Sequence, residues 1–334
     1  PVLKSLGIRT IVNGPIGGTP DMQALLGPAH GLRNYFVCCG VHGAFVQGYL
    51  ARHLAEWIVG GEPGIDLSSV DVRRFGDYAT QDFTVSRVEA AHTIFSLPAC
   101  YPEIEPEGGR PARMSWLYDR LAAKGAVFGV ANGWEVPNWF APDGIERKDV
   151  WSFDRTNWFE HVAEECRAVR ERAGLFDLAS AAKVEVSGSG AEAFLDRLSA
   201  NRLPAIECLE HSPFLAPSGG IEHLVCIHKT ASDRFFIAAP AGAEQRLVDW
   251  LHWHLSDEDV SIRNVTDDHA VLLLAGPEST SILEDVAGQP QGSTPTGTFV
   301  ECRIGADQVR LARVDDIDEN AWEIHHAAES QLRV

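Results

Sequence analysis

The stretch from Tyr35 to Ile58, YFVCCGVHGAFVQGYLARHLAEWI, is the part of the sequence that decides the fold. It combines an apolar β-type run, a turn with two glycines and a helical pattern in which Val46, Leu50 and Leu54 repeat every four residues. A strand, a glycine turn and a helix in this order typically close a large α/β nucleotide-binding domain. Because the unit lies almost at the N-terminus of this chain, we expect the rest of that domain to lie outside it.

The composition is that of a globular protein with an acidic surface. The chain has 334 residues, 45% of them apolar, and is long enough for two or three domains. Its net charge is -19, from 28 basic and 47 acidic residues. A surface so poor in cations neither displaces phosphate counterions nor attracts anionic lipid, so we predict no nucleic-acid partner and no membrane contact.

The seven cysteines and 13 histidines predict neither disulfides nor a metal site. The cysteines show no paired spacing, which favours reduced thiols and a cytoplasmic location. The mitochondrial matrix is the alternative for a eukaryotic source, because Pro1 is not a natural start residue and a targeting segment could precede it. His252 and His254 lie two positions apart in a helical pattern and therefore do not share a helix face.

The hydrophobic periodicity predicts an α+β fold in three segments, residues 1–75, 76–150 and 151–334. The first carries short strands and one helix, the second is a connecting segment, and the third alternates strands with helices. The predicted strands are Ile8–Val12, Tyr35–Cys39, Val184–Val186, Phe235–Ala239, Val271–Ala275, Val309–Val314 and Ala321–His325. The predicted helices are Val46–Ile58, Val88–His92, Ser115–Lys124, Phe159–Ala173, Phe194–Leu198 and Leu247–Leu251.

The sequence GSGAEA at residues 188–193 has the form of a dinucleotide fingerprint, G-x-G-x-x-A. The strand before it, Lys183 to Val186, alternates as a half-exposed strand does, whereas a buried parallel strand is apolar throughout. Ser189 and Glu192 have the spacing of a capping box, so we predict a capped helix and no phosphate site. The sequence also lacks the G-x-S-x-G, H-E-x-x-H and P-loop motifs of common hydrolases and NTPases.

Gly40, Gly43 and Gly48 are predicted to lie between the strand and the N-terminus of the first helix. Glycines in such a turn let backbone N–H groups approach an anionic ligand atom, which the helix dipole also favours. For a flavin, that atom would be the pyrimidine-side oxygen. A plain strand-to-helix turn is the alternative, and the spacing alone leaves both open.

A cluster of acidic residues lies near the C-terminus and consists of Asp315, Asp316, Asp318, Glu319 and Glu323. A calcium loop needs a glycine and alternating oxygen ligands, which this run lacks. We therefore predict a solvated hairpin turn between the last two strands.

Several strings, in a fixed order, resemble the dimethylglycine and sarcosine dehydrogenase family. The resemblance covers nearly the whole chain and is densest before about residue 205. The strings that carry it include GIRTIVNGP at 7–15, GLRNYFV at 31–37, DVRRF at 71–75, YDRLAAKGAVFGVANGWEVPNWF at 118–140 and GLFD at 174–177.

The resemblance implies a two-part enzyme. In this family an N-terminal half binds FAD through a Rossmann-like fold and oxidises an N-methyl group to an iminium. A C-terminal half resembles the aminomethyltransferase of the glycine cleavage system and binds tetrahydrofolate, which captures the one-carbon unit. Residues 1–75 would then be the C-terminal tail of the FAD-dependent oxidoreductase domain, 76–150 the connecting segment, and 151–334 an aminomethyltransferase-like folate-binding domain, truncated at its C-terminus.

The resemblance also implies site residues and partners. The flavin-edge turn would comprise Gly40, His42, Gly43 and Gly48, with the remaining FAD contacts upstream, and Glu319 would contact the pterin of tetrahydrofolate. The expected partners are a small methylamine substrate and either a separate flavin-binding chain or an electron-transfer flavoprotein.

The departures from the family pattern concern catalysis. After Gly219-Gly220-Ile221-Glu222 the family has one further residue and then an Asp that acts on the folate amine, but Leu224 stands at that position. His223 is a poor substitute, because successive strand residues face opposite sides. Catalytic residues therefore stay unassigned, and the turn around Glu319 has lost both glycines of the family motif.

We predict an incomplete or divergent member of a family of CH–NH oxidoreductases, not active as the isolated chain. The alternative is a non-catalytic, folate-domain-like scaffold or partner subunit, which the Leu224 position favours. A stand-alone aminomethyltransferase is excluded, because residues 1–110 have no place in it.

Overall fold

A computed structural model describes residues 7, 9–11, 13–14, 17–40, 44–95, 101, 104–315, 317 and 320–334. Its mixture of helices and antiparallel sheets confirms the α+β prediction. In the part of the chain that is described, no helix has the length and apolar character needed to cross a membrane.

The N-terminal segment contains one small sheet and one long helix. Strands β1 (Leu25–Pro28) and β2 (Phe36–Cys39) pair antiparallel, and helix α1 (Ala44–Gly60) packs on them through Leu50 and Leu54. The predicted strand Tyr35–Cys39 and the helix after it are therefore confirmed.

The predicted strand Ile8–Val12 is wrong at its described residues, 9–11, which have no regular structure. Its described residues, 9–11, are all exposed, with Ile11 at 80%, and a strand is stabilised by packing that these residues do not make. Ile8 and Val12 lie outside the described residues.

The connecting region holds two helices and a hairpin. Helix α2 spans Gln81–Phe95 and α3 spans Tyr118–Ala123, so both predicted helices occur there, the first longer and the second shorter than expected. Strands β3 (Ala126–Ala131) and β4 (Trp134–Phe140) form an antiparallel hairpin. Its residues Val127, Trp139 and Ala141 form a small core, against which Trp158 and Val162 pack.

Two five-stranded antiparallel sheets form the rest of the fold. The helices are α4 (Phe159–Glu171), α5 (Ala191–Leu198), α6 (Glu244–His254) and α7 (Ser279–Ala287). The first sheet, ordered β10-β6-β9-β8-β7, contains β6 (Ala182–Ser187), β7 (Cys208–Leu215), β8 (Ile221–Ala231), β9 (Arg234–Ala239) and β10 (Ser261–Asn264). The second, ordered β12-β13-β14-β11-β5, contains β5 (Gly174–Asp177), β11 (His269–Ala275), β12 (Phe299–Ile304), β13 (Asp307–Val314) and β14 (Ala321–Ala327).

The two sheets pack against each other, with helices on their outer faces. Helices α5 and α6 cover the first sheet through a fully buried cluster, and α7 covers the second through Leu283. Between the sheets, Leu209 and Cys226 from the first meet Leu273 and Val314 from the second. Each central strand therefore presents one set of alternate residues to helices and the other set to the opposite sheet.

The capping box predicted at Ser189 and Glu192 is wrong. The N-cap of α5 is Gly190, with no side-chain capping bond, while the Ser189 hydroxyl donates to Asp259 and Glu192 pairs with Lys229. At Gly188, with φ +126°, a Cβ would collide with the Asp259 backbone. A close backbone approach thus explains this glycine.

A buried ionic network joins the N-terminal segment to helix α6. The Arg73 guanidinium bonds the Asp71 carboxylate at 2.7 Å and lies 3.7 Å from Asp249, and all three side chains are almost fully buried. Asp249 also accepts hydrogen bonds from the Gly31 backbone and from His30 Nδ1, at 3.0 and 2.9 Å. Removing one partner of such a network leaves an uncompensated buried charge, which typically costs about 3–5 kcal/mol.

The His30–Asp249 contact predicts a pH-dependent stability. The hydrogen bond to Asp249 raises the pKa of His30 above its usual 6.5. Its stabilisation is therefore full below about pH 6.5 and is lost as the pH rises through the raised value. We expect the melting temperature of the wild type, relative to His30→Gln, to fall over that window.

The control for this prediction is His252→Gln, at an exposed histidine, which should track the wild type at every pH. The pKa of His30 is read directly by NMR titration. Titration of His30 at or below pH 6.5 would contradict the prediction.

Candidate functional site

Leu224, at which the resemblance implies an acid, lies on strand β8. Its alternate residues face opposite sides: His223 is 4% exposed and packs against Trp250 of α6, whereas Leu224 is 57% exposed. Burial lowers the pKa of His223 to about 3, so this imidazole is neutral. The two side chains point in opposite directions, as the strand alternation predicts, and that His223 is a poor substitute for an acid at Leu224 stays a prediction.

The face of β8 that carries Leu224 continues through Cys226 to His228, which meets strand β14 of the second sheet. His228 Nε2 lies 3.9 Å from Glu323 Oε2, and the His228 and His325 rings are 4.9 Å apart. Glu323 and His325 are two residues apart on β14 and so share a face. The structure therefore brings the face of Leu224 and the carboxylate of Glu323 to the same inter-sheet region.

The proton positions in this cluster follow from its hydrogen bonds. Arg310 on β13 is the cross-strand partner of His325, and its Nη2 lies 3.4 Å from His325 Nδ1. Because a guanidinium can only donate, Nδ1 accepts and the proton of the neutral imidazole is on Nε2. That Nε2–H donates to Glu323 Oε2 at 2.8 Å.

Burial sets the charge of each member. It lowers the pKa of both His228 and His325 well below 6.5, so both rings are neutral. Burial also lowers the pKa of Arg310 to about 10, which leaves it protonated at neutral pH, against the rings of Phe236 and Phe299. A neutral imidazole thus separates a partly buried cation from a carboxylate that is 17% exposed.

The ligand atoms of His228, Glu323 and His325 lie within 4.8 Å of one another, close enough for a metal ion. The tautomer of His325, however, disfavours metal binding. A metal needs the lone pair of a ring nitrogen, whereas His325 Nε2 carries a proton that it donates to Glu323. The arrangement suits a carboxylate that accepts N–H donors, and the absence of a metal stays a prediction.

The residues expected at a flavin edge are only partly described. Gly40 has a φ of +63°, and a Cβ there would collide with the Thr19 methyl, so the fold itself requires this glycine. Gly48 lies inside α1, which begins at Ala44, so its expected place in the turn before the helix is wrong. Because the helix starts four residues before Gly48, the backbone of Gly48 is hydrogen-bonded within the helix.

Three other predicted site residues, His42, Gly43 and Glu319, lie outside the described residues. Strands β13 and β14 pair antiparallel as expected, and Asp316 and Asp318 of the predicted acidic turn also lie outside the described residues. Of its acids, Glu323 lies in β14 itself rather than in the turn.

His228, His325 and Arg310 belong to the cluster but were not predicted as site residues. A signal was present in two strings, Cys226-x-His228 and Glu323-x-His325, whose spacing of two places both residues on one face of a strand. What brings these two faces together is the packing of the two sheets, which local patterns do not contain.

With this geometry described, the class of protein follows from two matches to family models. Residues 117–334 match the GCVT N-terminal domain, and residues 60–115 match the FAD dependent oxidoreductase central domain. The chain therefore belongs to the GCVT family. It corresponds to the C-terminal portion of dimethylglycine and sarcosine dehydrogenase-like FAD oxidoreductases, which confirms the resemblance.

Individual relatives agree with this assignment. The chain is 32% identical over 339 residues to human mitochondrial dimethylglycine dehydrogenase, covering 99% of this chain and 39% of that protein. It is 29% identical over 348 residues to the mouse mitochondrial pyruvate dehydrogenase phosphatase regulatory subunit, covering 100% of this chain and 39% of the relative. The chain thus spans about two fifths of the length of these relatives.

A solved structure supports the fold. The glycine cleavage system aminomethyltransferase T from Bartonella henselae superposes with a TM-score of 0.55 at 23% identity, covering 66% of this chain and 55% of that one. The α+β architecture is therefore confirmed, while the segment boundaries at residues 75 and 150 stay predictions.

Proposed function

We propose that this chain is the folate-binding portion of a flavoenzyme that removes a methyl group oxidatively from a small methylamine of the dimethylglycine or sarcosine type. The family assignment supports this proposal, as does the similarity to dimethylglycine dehydrogenase. FAD, bound mainly by a portion outside this chain, supplies the two-electron acceptor. Tetrahydrofolate supplies the amine that takes up the one-carbon unit. The reduced cysteines fit the cytoplasm or the mitochondrial matrix.

The observation that carries the proposal is the carboxylate of Glu323. His325 donates to Oε2, and Oε1 makes no hydrogen bond to any described residue. A carboxylate held in this way can accept a pair of N–H donors such as those of a pterin ring. We therefore assign the folate contact to Glu323, four residues after Glu319, for which the sequence analysis proposed the same role.

Leu224 limits the chemistry that such a site performs. Leu224 shares a face of β8 with His228, and His228 lies 3.9 Å from Glu323. A leucine, however, cannot donate or accept a proton. A positioned acid–base group typically contributes about 10²–10⁴-fold in rate. The site we propose therefore binds tetrahydrofolate and holds it near the methylamine product, without the acid that speeds the capture.

Exposed apolar residues of the N-terminal segment supply the surface for a flavin-binding portion. Val59 at the end of α1 is 89% exposed, and Tyr35, Tyr49 and Ile58 are each more than half exposed. These four side chains lie within a stretch of 25 residues, and exposed apolar groups are what a partner surface buries. We propose that the FAD-binding α/β portion that family members carry covers these residues.

A non-catalytic scaffold or partner subunit is the second candidate. Two observations favour it: the exposed Leu224 in place of an acid, and the similarity over the whole chain to a phosphatase regulatory subunit. A scaffold needs neither folate binding nor a flavin partner, so the experiments below separate the two functions.

The first prediction concerns the affinity for folate. We expect the chain to bind tetrahydrofolate, and Glu323→Gln to weaken binding at least about 10-fold, because the amide loses the charge and opposes N–H donors with a donor of its own. Isothermal calorimetry measures the dissociation constants. Glu210→Gln, at an exposed glutamate on β7, is the matched control and should bind as the wild type does. Absence of binding by the wild type favours the scaffold.

The second prediction concerns the lost acid. Leu224→Asp should leave the melting temperature within about 3 °C, because the site is exposed. It should bind tetrahydrofolate about 10-fold more tightly through a charged hydrogen bond to the folate amine. Leu224→Asn has nearly the same shape without the charge, so equal affinity in the two variants would show that the position does not face folate.

The third prediction concerns assembly. Co-expressed with a separate FAD-binding segment of this family, the chain should form a yellow complex on size-exclusion chromatography. Val59→Asp should abolish it, because a buried unpaired charge is costly. Val150→Asp, also at an exposed valine, should not affect the complex. A complex that survives Val59→Asp, or flavin bound by the chain alone, would contradict the assignment of this surface.

A further inference from the structure

A chain of three side chains ends at the proposed folate contact. Arg310 on β13 faces His325 on β14 as its cross-strand partner, and Glu323 follows on the same face of β14. The two successive contacts are 3.4 Å, from Arg310 Nη2 to His325 Nδ1, and 2.8 Å, from His325 Nε2 to Glu323 Oε2. His325 is 2% exposed, so water does not compete for either ring nitrogen.

The direction of both hydrogen bonds is fixed by Arg310, which has donors only. Its position makes Nδ1 of His325 the acceptor and leaves the proton on Nε2, where it meets Glu323. The guanidinium itself is held in place by the rings of Phe236 and Phe299, whose centroids lie 4.9 and 5.1 Å away. The donor aimed at Glu323 is thus set before any ligand arrives.

Fixing one carboxylate oxygen has a consequence for binding. A glutamate side chain loses rotamer freedom when a ligand immobilises it, and this loss weakens affinity. If one oxygen is already bonded and the other is free to accept, the loss occurs on folding instead of on binding.

We propose that His325 is a positioning residue that holds the Glu323 carboxylate for the N–H donors of its ligand, with Arg310 selecting the required tautomer. This inference rests on the proposed folate function and adds two residues to it. His228, 3.9 Å from Glu323 Oε2, is too distant for a hydrogen bond and bounds the carboxylate sterically.

The test compares three substitutions in the full chain, with tetrahydrofolate as the probe. His325→Leu removes the donor and should weaken binding about 10-fold. His325→Gln places an amide N–H near the former Nε2 and should restore the affinity to within about 3-fold of the wild type. His326→Leu is the matched control: the neighbouring histidine is equally buried but faces the other side of β14, so its loss should cost stability without a change in affinity.

The outcomes separate the inference from the proposed function. Failure of the wild type to bind tetrahydrofolate overturns the folate function and this role with it. Binding by the wild type and equal binding by His325→Leu overturns the inference alone, as does an affinity loss in His325→Gln as large as in His325→Leu.

A spectroscopic readout tests the tautomer without any ligand. Nitrogen-15 NMR of the imidazole should show His325 protonated at Nε2, and Arg310→Met should increase the Nδ1-protonated form while the methionine keeps the packing on Phe236. Protonation of His325 at Nδ1 in the wild type would overturn the inference, whether or not folate binds.

Discussion

The two-residue alternation along β8 and β14 is the constraint on which the site depends. Each strand is covered by helices on one face and by the opposite sheet on the other, so a side chain's position in sequence decides which environment it enters. On β8 this alternation sends His223 among the residues of α6 and sends His228 to the inter-sheet region. On β14 it places Glu323 and His325 together and their neighbour His326 on the other side. A shift of one residue in the register of either strand would separate His228, Glu323 and His325, because every side chain of that strand would change face.

A second constraint connects this domain to the N-terminal segment. The buried Asp71–Arg73 pair and Asp249 link residues that are more than 170 positions apart, and Glu62 accepts hydrogen bonds from the Ser218 backbone and hydroxyl in the loop before β8. That loop carries Gly219 and Gly220, which precede the strand with Leu224. The segment proposed to meet a flavin-binding portion therefore contacts the loop that leads into the strand of Leu224.

Much of the fold could be predicted from local patterns, because each element is encoded by its own residues. The helix after Cys39 and the strands around Val184, Phe235 and Val271 follow from period and composition. The Ser189 cap was mispredicted because Asp259, distant in sequence, takes the hydroxyl. The same limit applies to the site. The sequence motifs shared with the family identified Leu224. The contacts among Arg310, His325 and Glu323 depend on strand register and on how the two sheets pack, and no local pattern contains either.

The cluster at Glu323 combines features that would be costly without a ligand-related role. Arg310 is largely shielded from solvent and forms no ion pair with a carboxylate of any described residue, and desolvating a guanidinium is unfavourable unless its charge is compensated. The compensation comes from Glu301, the cross-strand partner of Arg310 on β12, and from Glu323, whose carboxylate Arg310 reaches through the neutral ring of His325. A purely structural core would reach better stability with apolar residues in these places, since replacing buried ionic groups by well-packed apolar ones is often neutral or stabilising. Leu224 differs in the opposite sense: it is an apolar residue at an exposed strand position where the resemblance to the family implies an acid. If Glu323 holds folate as proposed, the site has a group that binds the ligand but, at Leu224, no group that moves its proton.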